Sequence, residues 1–411
     1  MKVDIDLFMH EQGVDALLIT GPAQHNPVMT WFTGLLHVTD ADLLKIRGCD
    51  PILFVPPMER EEAQKSGLQT VSYSKYPLID FIAPEGGDLV EAYAARYEKI
   101  LSDHGFTSGR LALYGLKDIG FAHAVFSRLE QRLPSIEIAA FAQDEIVLRA
   151  MMTKEDDEIT RIRRMGVVTT RVAANVVDFL CAQRVKDGLL VDAEGGPITI
   201  GKVKSRINLL LAENGAENPE GTIFSMGHDA AFPHSSGNDS DALRIGQSIV
   251  FDLFPCEAGG GYFYDFTRTW CLGHAPDDVL ALYEAVRSVY QSVVASLQLN
   301  LPFWQLQKLT CEAFESKGHK SVLNNPLTET GYVHSLGHGL GLHIHEKPFA
   351  SLTTHSDSDI LAPGAVFTLE PGLYDPQKGI GVRLEDTWLA KADGSFEMLA
   401  DFPDDLILPI K

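Results

Sequence analysis

In the first third of the chain, short apolar runs alternate with longer polar stretches of helical period. Ala16-Leu17-Leu18-Ile19, Ile52-Leu53-Phe54-Val55 and Leu111-Ala112-Leu113-Tyr114 have the length and residue types of buried strands. The alternation predicts a small α/β domain over residues 1–147. At Thr153-Lys154-Glu155-Asp156 a capping-box pattern predicts a helix start, with Ile159, Ile162, Met165 and Val168 or Val172 on one face. A second, α+β domain is therefore expected over 148–411. Within it, Pro276-Asp277-Asp278 opens another helix whose stripe of Leu280, Tyr283, Val286, Tyr290, Val293 and Leu297 reads as core. Strand-like segments follow the β pattern at 248–254, 262–271, 365–370 and 381–389, and Gly259-Gly260-Gly261 predicts a hairpin turn between the first two.

Length agrees with two domains, since 411 residues exceed what one hydrophobic core usually organises. A net charge of −22, with no compensating cluster of Lys and Arg, argues against nucleic acid as a partner. The start, Met1-Lys2-Val3-Asp4-Ile5-Asp6, is acidic where a signal peptide is basic, and no run approaches the roughly 20 apolar residues of a membrane span. A cytoplasmic protein with no membrane partner is expected. Five scattered cysteines, with no C-x-x-C pair, read as reduced and structural.

The chemistry lies in the second half. Asp252 sits inside Ile249-Val250-Phe251-Asp252-Leu253, and a carboxylate in so apolar a strand must be paired, protonated or bound to metal. Asp265 repeats the situation one strand later, where two aspartates on adjacent strands would face each other. Glu370 ends the run Val366-Phe367-Thr368-Leu369, and Glu385 follows Gly381-Val382-Arg383-Leu384. Any one of these acids alone reads as an ordinary strand residue. Four together, beside the histidine-dense loop His334 to Glu346, read as a carboxylate cluster whose charge two divalent cations would balance. The alternating glycines of that loop suggest close approach of backbone to a ligand. A phosphate cradle is excluded because no Gly-Lys-Ser/Thr follows.

Phe251-Asp252-Leu253, Asp265-Phe266-Thr267-Arg268-Thr269, His334 to Glu346, Leu369-Glu370-Pro371-Gly372-Leu373-Tyr374 and Gly381 to Thr387 resemble, in order, the motifs of the pita-bread metallopeptidases, family M24. That group comprises prolidase, aminopeptidase P, methionine aminopeptidase and the metal-free creatinase. The resemblance is strong over about residues 148–411 and general over the N-terminal part. It implies a pita-bread catalytic domain behind a creatinase/prolidase-like α/β domain. It makes Asp252 a ligand to one ion, Asp265 and Glu385 bridging ligands, and His338 and Glu370 ligands to the other. The implied ions are manganese first, with cobalt or zinc as alternatives. The resemblance also places His234, His334 and His345 at the substrate, each with a purely structural histidine as the alternative. Arg383 and Tyr374 match positions that support the ligands and the proton path. Creatinase chemistry is disfavoured because the ligands are present, and methionine aminopeptidases lack a comparable N-terminal domain.

The implied reaction is cleavage of the bond before proline in short Xaa-Pro peptides by a homodimeric aminopeptidase P-like enzyme, with Xaa-Pro dipeptidase as the alternative. Glu370 would accept or relay the proton, and His234 or His345 would hydrogen-bond the oxyanion or the leaving nitrogen. A lyase on the same metal site, or an interaction module on a dead peptidase, are the rivals. Three departures from the family stand out: a long segment over 185–204, a 13-position spacing between Asp252 and Asp265, and Phe349 where dipeptidase relatives carry a carboxylate-binding arginine. Lys347 is the nearby substitute cation, sharing a strand face with Phe349.

Overall fold

The computed structural model describes residues 4–354 and 356–410. Met1–Val3, part of the acidic start read above, lie outside the described residues. The chain divides into one unit of residues 1–150 with Gly259–Gly261, and a second of 151–258 with 262–411.

The first unit is built on the predicted apolar runs. Strands β1 (Ala16–Gly21), β2 (Ala41–Ile46), β3 (Ile52–Val55), β4 (Gln69–Ser72), β5 (Gly109–Gly115) and β6 (Ile136–Ala139) form one sheet in the order β4-β3-β2-β1-β5-β6. The sheet is mixed: β1 runs antiparallel to β2 and parallel to β5. Helices α1 (Leu89–Asp103) and α2 (Ile119–Arg132) bury Ile100, Leu101, Val125 and Leu129 in a core with Leu18, Leu44, Phe54 and Leu111. This is the α/β arrangement that the alternation implies.

The second unit opens with α3 (Asp156–Cys181). Its capping box stands two residues beyond the predicted one. Glu155 is the N-cap, and its N–H donates to the Glu158 carboxylate at 2.7 Å. Thr153 lies ahead of the helix, in a β-bridge to Ala365. The 185–204 segment forms a hairpin of Arg184–Lys186 with Leu189–Val191, then enters α4 (Ile200–Glu213). Strands β7 (Thr222–Met226), β8 (Ser248–Leu253) and β9 (Thr267–Leu272) follow; Cys256 and Phe263 bridge below the glycine turn, as expected of a hairpin.

Helix α5 (Asp277–Ala295) starts where Pro276 predicts, but its buried stripe is Val279, Tyr283, Val286, Val289 and Val293. Leu280 is 42% exposed, Tyr290 is half-buried and Leu297 lies past the helix end, which corrects three positions of the expected stripe. Adjacent apolar pairs, Val279-Leu280 and Val289-Tyr290, leave the angle of the stripe ambiguous in sequence.

After α6 (Phe303–Ser316) come β10 (His338–Gly339), β11 (Glu346–Phe349), β12 (Val366–Leu369), β13 (Gly372–Asp375), β14 (Ile380–Arg383), β15 (Asp386–Ala390), β16 (Phe396–Met398) and β17 (Ile407–Leu408). The two main sheets have the orders β7-β8-β9-β17 and β11-β10-β12-β15-β16, with β13-β14 as a separate ribbon. The predicted strand at 381–389 is two strands, interrupted at Leu384-Glu385. No described helix is long and apolar enough to cross a membrane.

Candidate active site

Asp252 stands near the end of β8, paired on one side with Ile223 and on the other with Thr267. It does not face Asp265 across the ladder as the hairpin pattern predicts. Asp265 lies two residues before β9, because the chain between the strands turns aside to pair Cys256 with Glu217 and Phe263, and ladder pairing resumes only at Thr267. Glu370 and Glu385 likewise sit just beyond strand ends, after β12 and between β14 and β15. A carboxylate at a strand end is freed from alternation, so several can converge from different sheets.

Each acid is held by few partners. Arg383 Nη2 donates to Asp252 Oδ2 at 2.6 Å, and Thr267 Oγ1 donates to Glu385 Oε2 at 2.7 Å. Among the described residues, Asp252 Oδ1 and Glu385 Oε1, both buried, have no hydrogen-bond partner. Asp265 Oδ1 accepts the Phe266 N–H at 2.9 Å. His338 Nδ1 lies 3.0 Å from the Gly339 carbonyl, which can only accept, so Nδ1 carries the proton and Nε2 presents a lone pair. That Nε2 is 3.5 Å from Asp265 Oδ2 and 3.6 Å from Glu370 Oε1.

Burial and mutual repulsion set the electrostatics. Burial first, then the charges of Asp252 and Glu370, push Asp265 well above the carboxylate range; burial, then Asp265 and Glu370, do the same to Glu385. Glu370 is raised to about 8 by burial, against the pull of Arg383 and with the push of Asp252. Burial, assisted by His345, lowers His338 to about 3, leaving it a neutral donor of its lone pair. One guanidinium cannot neutralise four carboxylates. Such a cluster must take up protons or cations.

The donor set fits divalent ions. Ligand atoms of Asp265, His338 and Glu385 all lie within 4.8 Å of one another. Separations near 3.5 Å are long for hydrogen bonds and suit atoms each about 2 Å from a shared ion. The orphaned oxygens of Asp252 and Glu385 supply further lone pairs.

A cavity of about 1140 Å³ opens over these residues and is also lined by His234, His334 and His345. His345 packs edge-on against His338, with ring centroids 4.3 Å apart, and burial followed by His234 lowers its pKa. His334 donates from Nδ1 to the Ser335 carbonyl at 2.8 Å and accepts at Nε2 from the Tyr374 hydroxyl at 3.0 Å. Tyr374 in turn accepts from Arg383 Nη1 at 2.7 Å. Burial holds His334 at about 3, helped by Arg383; burial also raises Tyr374 to about 12, although Arg383 opposes it. Nine of the ten expected site residues line the cavity, and Tyr374 joins them through these hydrogen bonds.

Other contributors carry no signal in the pattern. Gln307, inside α6, donates to the His334 carbonyl at 3.1 Å and accepts the Leu336 N–H at 2.6 Å, fixing both ends of the turn before His338. Lys154 and Glu346 form an ion pair buried on both sides. Gly337 lines the cavity, whereas Gly339 and Gly341 pack on protein: a Cβ on Gly339 would lie 1.9 Å from the Lys347 carbonyl oxygen, and one on Gly341 would lie 2.3 Å from Glu346 Oε1. Phe349 lines the cavity, whereas Lys347 is buried with its ammonium 3.3 Å from Asp359.

A match to metallopeptidase family M24 runs from residue 160 to 392. The chain belongs to this family. The match covers every carboxylate and histidine of the cluster. An Xaa-Pro dipeptidase of Pyrococcus horikoshii is 27% identical over 395 residues, covering 94% of this chain and 93% of that protein. An Xaa-Pro dipeptidase of Lactobacillus delbrueckii subsp. lactis is 23% identical over 98% of both. Among solved structures, the prolidase of Pyrococcus furiosus aligns with a TM-score of 0.72 at 23% identity over 97% of this chain and 99% of that one. The X-Pro aminopeptidase of Thermotoga maritima aligns with a TM-score of 0.72 at 22% identity over 96% and 97%. The fold is therefore the two-part pita-bread arrangement of an M24 metallopeptidase.

Proposed function

We propose that this M24 metallopeptidase hydrolyses the peptide bond preceding proline, releasing the N-terminal residue of Xaa-Pro peptides. The observation that carries the reading is the convergence of Asp265, His338 and Glu385, with Asp252 and Glu370 beside them, on a cavity lined by three histidines. The proline requirement is supported by full-length relatives named Xaa-Pro dipeptidase. Asp252 would serve one ion, Asp265 and Glu385 would serve both, and His338 and Glu370 would serve the other, with manganese favoured by a donor set rich in carboxylate. When bound, such ions supply Lewis acidity and bring the pKa of water towards neutrality.

The protein's own groups then position and move protons. Glu370 accepts or relays the proton, from its place beside His338 in the cavity wall. His234 and His345 donate hydrogen bonds to the oxyanion or the leaving nitrogen. Arg383 orients Asp252, while Tyr374 and His334 extend that chain of hydrogen bonds to the cavity wall. The protein acts as a cytoplasmic homodimer.

Dipeptidase activity is the second reading, favoured by the names of these relatives. Against a strict dipeptidase stand Phe349 in the cavity wall and Lys347, whose ammonium is engaged with Asp359. Metal-stripped enzyme supplied with manganese, cobalt or zinc should cleave Xaa-Pro peptides of three or more residues at least as efficiently as Xaa-Pro dipeptides, and leave non-proline controls intact. Equal cleavage of the controls would refute the proline requirement; a strong dipeptide preference would return the protein to the prolidases.

A further inference from the structure

Resting on the reading above, we propose that Lys204 receives the C-terminal carboxylate of the substrate and selects tri- and tetrapeptides. Gly201, Lys204, Ser205 and Asn208 recur at helical spacing along α4 and present one face of that helix to the cavity. Among the described cavity-lining residues, Lys204 and Arg383 carry the Lys or Arg charges. Arg383 is committed to Asp252, Tyr374 and the Pro233 carbonyl. Lys204 Nζ meets Asp239 Oδ1 at 2.9 Å, and the Asp239 side chain is 69% exposed. The Lys204 side chain is 17% exposed, so the pair is open to water on its aspartate side, where a carboxylate entering from the cavity can displace Asp239.

The ladder of hydrogen bonds sets the length of peptide that fits. Asp252 on β8 pairs with Ile223 on β7, and the next residue, Phe224, donates its N–H outward to the Ser236 carbonyl. Three residues on, the Asp239 carbonyl accepts the N–H of Gly201 at the start of α4. Two strand spacings, roughly 10 Å in all, therefore separate the Asp252 strand from Ser236, three residues before Asp239. A dipeptide ends one residue past the scissile carbonyl, roughly 3–4 Å away, whereas one or two further residues cover the remaining span.

The test uses manganese-loaded enzyme with Ala-Pro-Ala and Ala-Pro-Ala-Ala, each as the free acid and as the C-terminal amide. The free acids should show a KM lower by roughly 5-fold or more, the scale of a partly exposed charged contact. In Lys204→Gln the acid-to-amide ratio should fall to about one, while Lys204→Arg retains it, and Ala-Pro should respond equally little to both substitutions. A wild-type ratio near one, or a ratio that survives in Lys204→Gln, overturns the assignment while leaving proline specificity intact. Failure to cleave any of these peptides overturns the underlying reading and the assignment together.

Discussion

At the residue scale, the cluster separates side chains that would hold ions from those that would serve the substrate. Burial and neighbouring carboxylates push Asp265 and Glu385 both well above the carboxylate range, and both are proposed to serve two ions. Replacing either by Ala should abolish turnover and lower the content to one ion or none, read by elemental analysis; two retained ions with near-normal turnover would contradict the ligand set. His234 and His345 should behave differently. Their alanine variants should lose roughly 10²-fold in kcat while keeping both ions, the usual scale for losing an acid–base or oxyanion partner. Loss of metal in those variants would make them ligands or supports instead. Thr267 shows how a neighbour of a recognisable motif can be overlooked: it stands two positions after Asp265, yet its hydroxyl serves Glu385, 118 residues away.

At the element scale, α5 offers a test of packing. Val289 is fully buried and Leu280 is not, so at saturating metal Val289→Ala should cost about 2 kcal/mol of unfolding free energy, and Leu280→Ala less than about 0.5. Comparable losses in urea denaturation would restore the stripe that the sequence suggests. The same helix shows where sequence reading stops. Its start was legible because proline followed by two aspartates is a chemical signal, but its rotation was not, because neighbouring valines, leucines and tyrosines satisfy two faces equally well. The strands were legible as β1, β3, β5, β8 and β12. The site residues were legible as types in order, but their meeting depends on chain reversals at Leu384-Glu385 and between β8 and β9 that no local period encodes. Gln307 looked like any polar residue of a helix and was invisible for that reason.

For the molecule as a whole, metal and pH should act together on stability. Glu370 titrates near 8 in the fold and near 4.5 in an unfolded chain, and Asp265 and Glu385 are displaced in the same direction. Between these values the folded state binds more protons than the unfolded one, so the stability of metal-free protein falls as pH rises. His334 and His338, lowered to about 3, act oppositely, but only below about 6.5, where unfolded histidines titrate. From pH 6.5 to 8 the unfolded histidines lose their remaining protons and the carboxylates come to govern, with a slope of up to about 1.4 kcal/mol per pH unit for each one held protonated. The Tm of stripped protein should therefore drop across that window, and saturating manganese should raise it and flatten the dependence. A metal-free Tm that climbs from pH 6.5 to 8 would mean that the acids are not repelling one another.

The buried contact of Lys154 with Glu346 joins positions 192 residues apart. On a ribosome adding roughly 5–20 residues per second, the lysine waits about 10–40 s before its glutamate exists. Throughout that interval the stretch leading into α3 awaits this contact, and His345, next to the glutamate, is still unmade. The peptidase centre is consequently assembled only after these later segments are made, which delays any hydrolytic capacity until synthesis has passed Glu385.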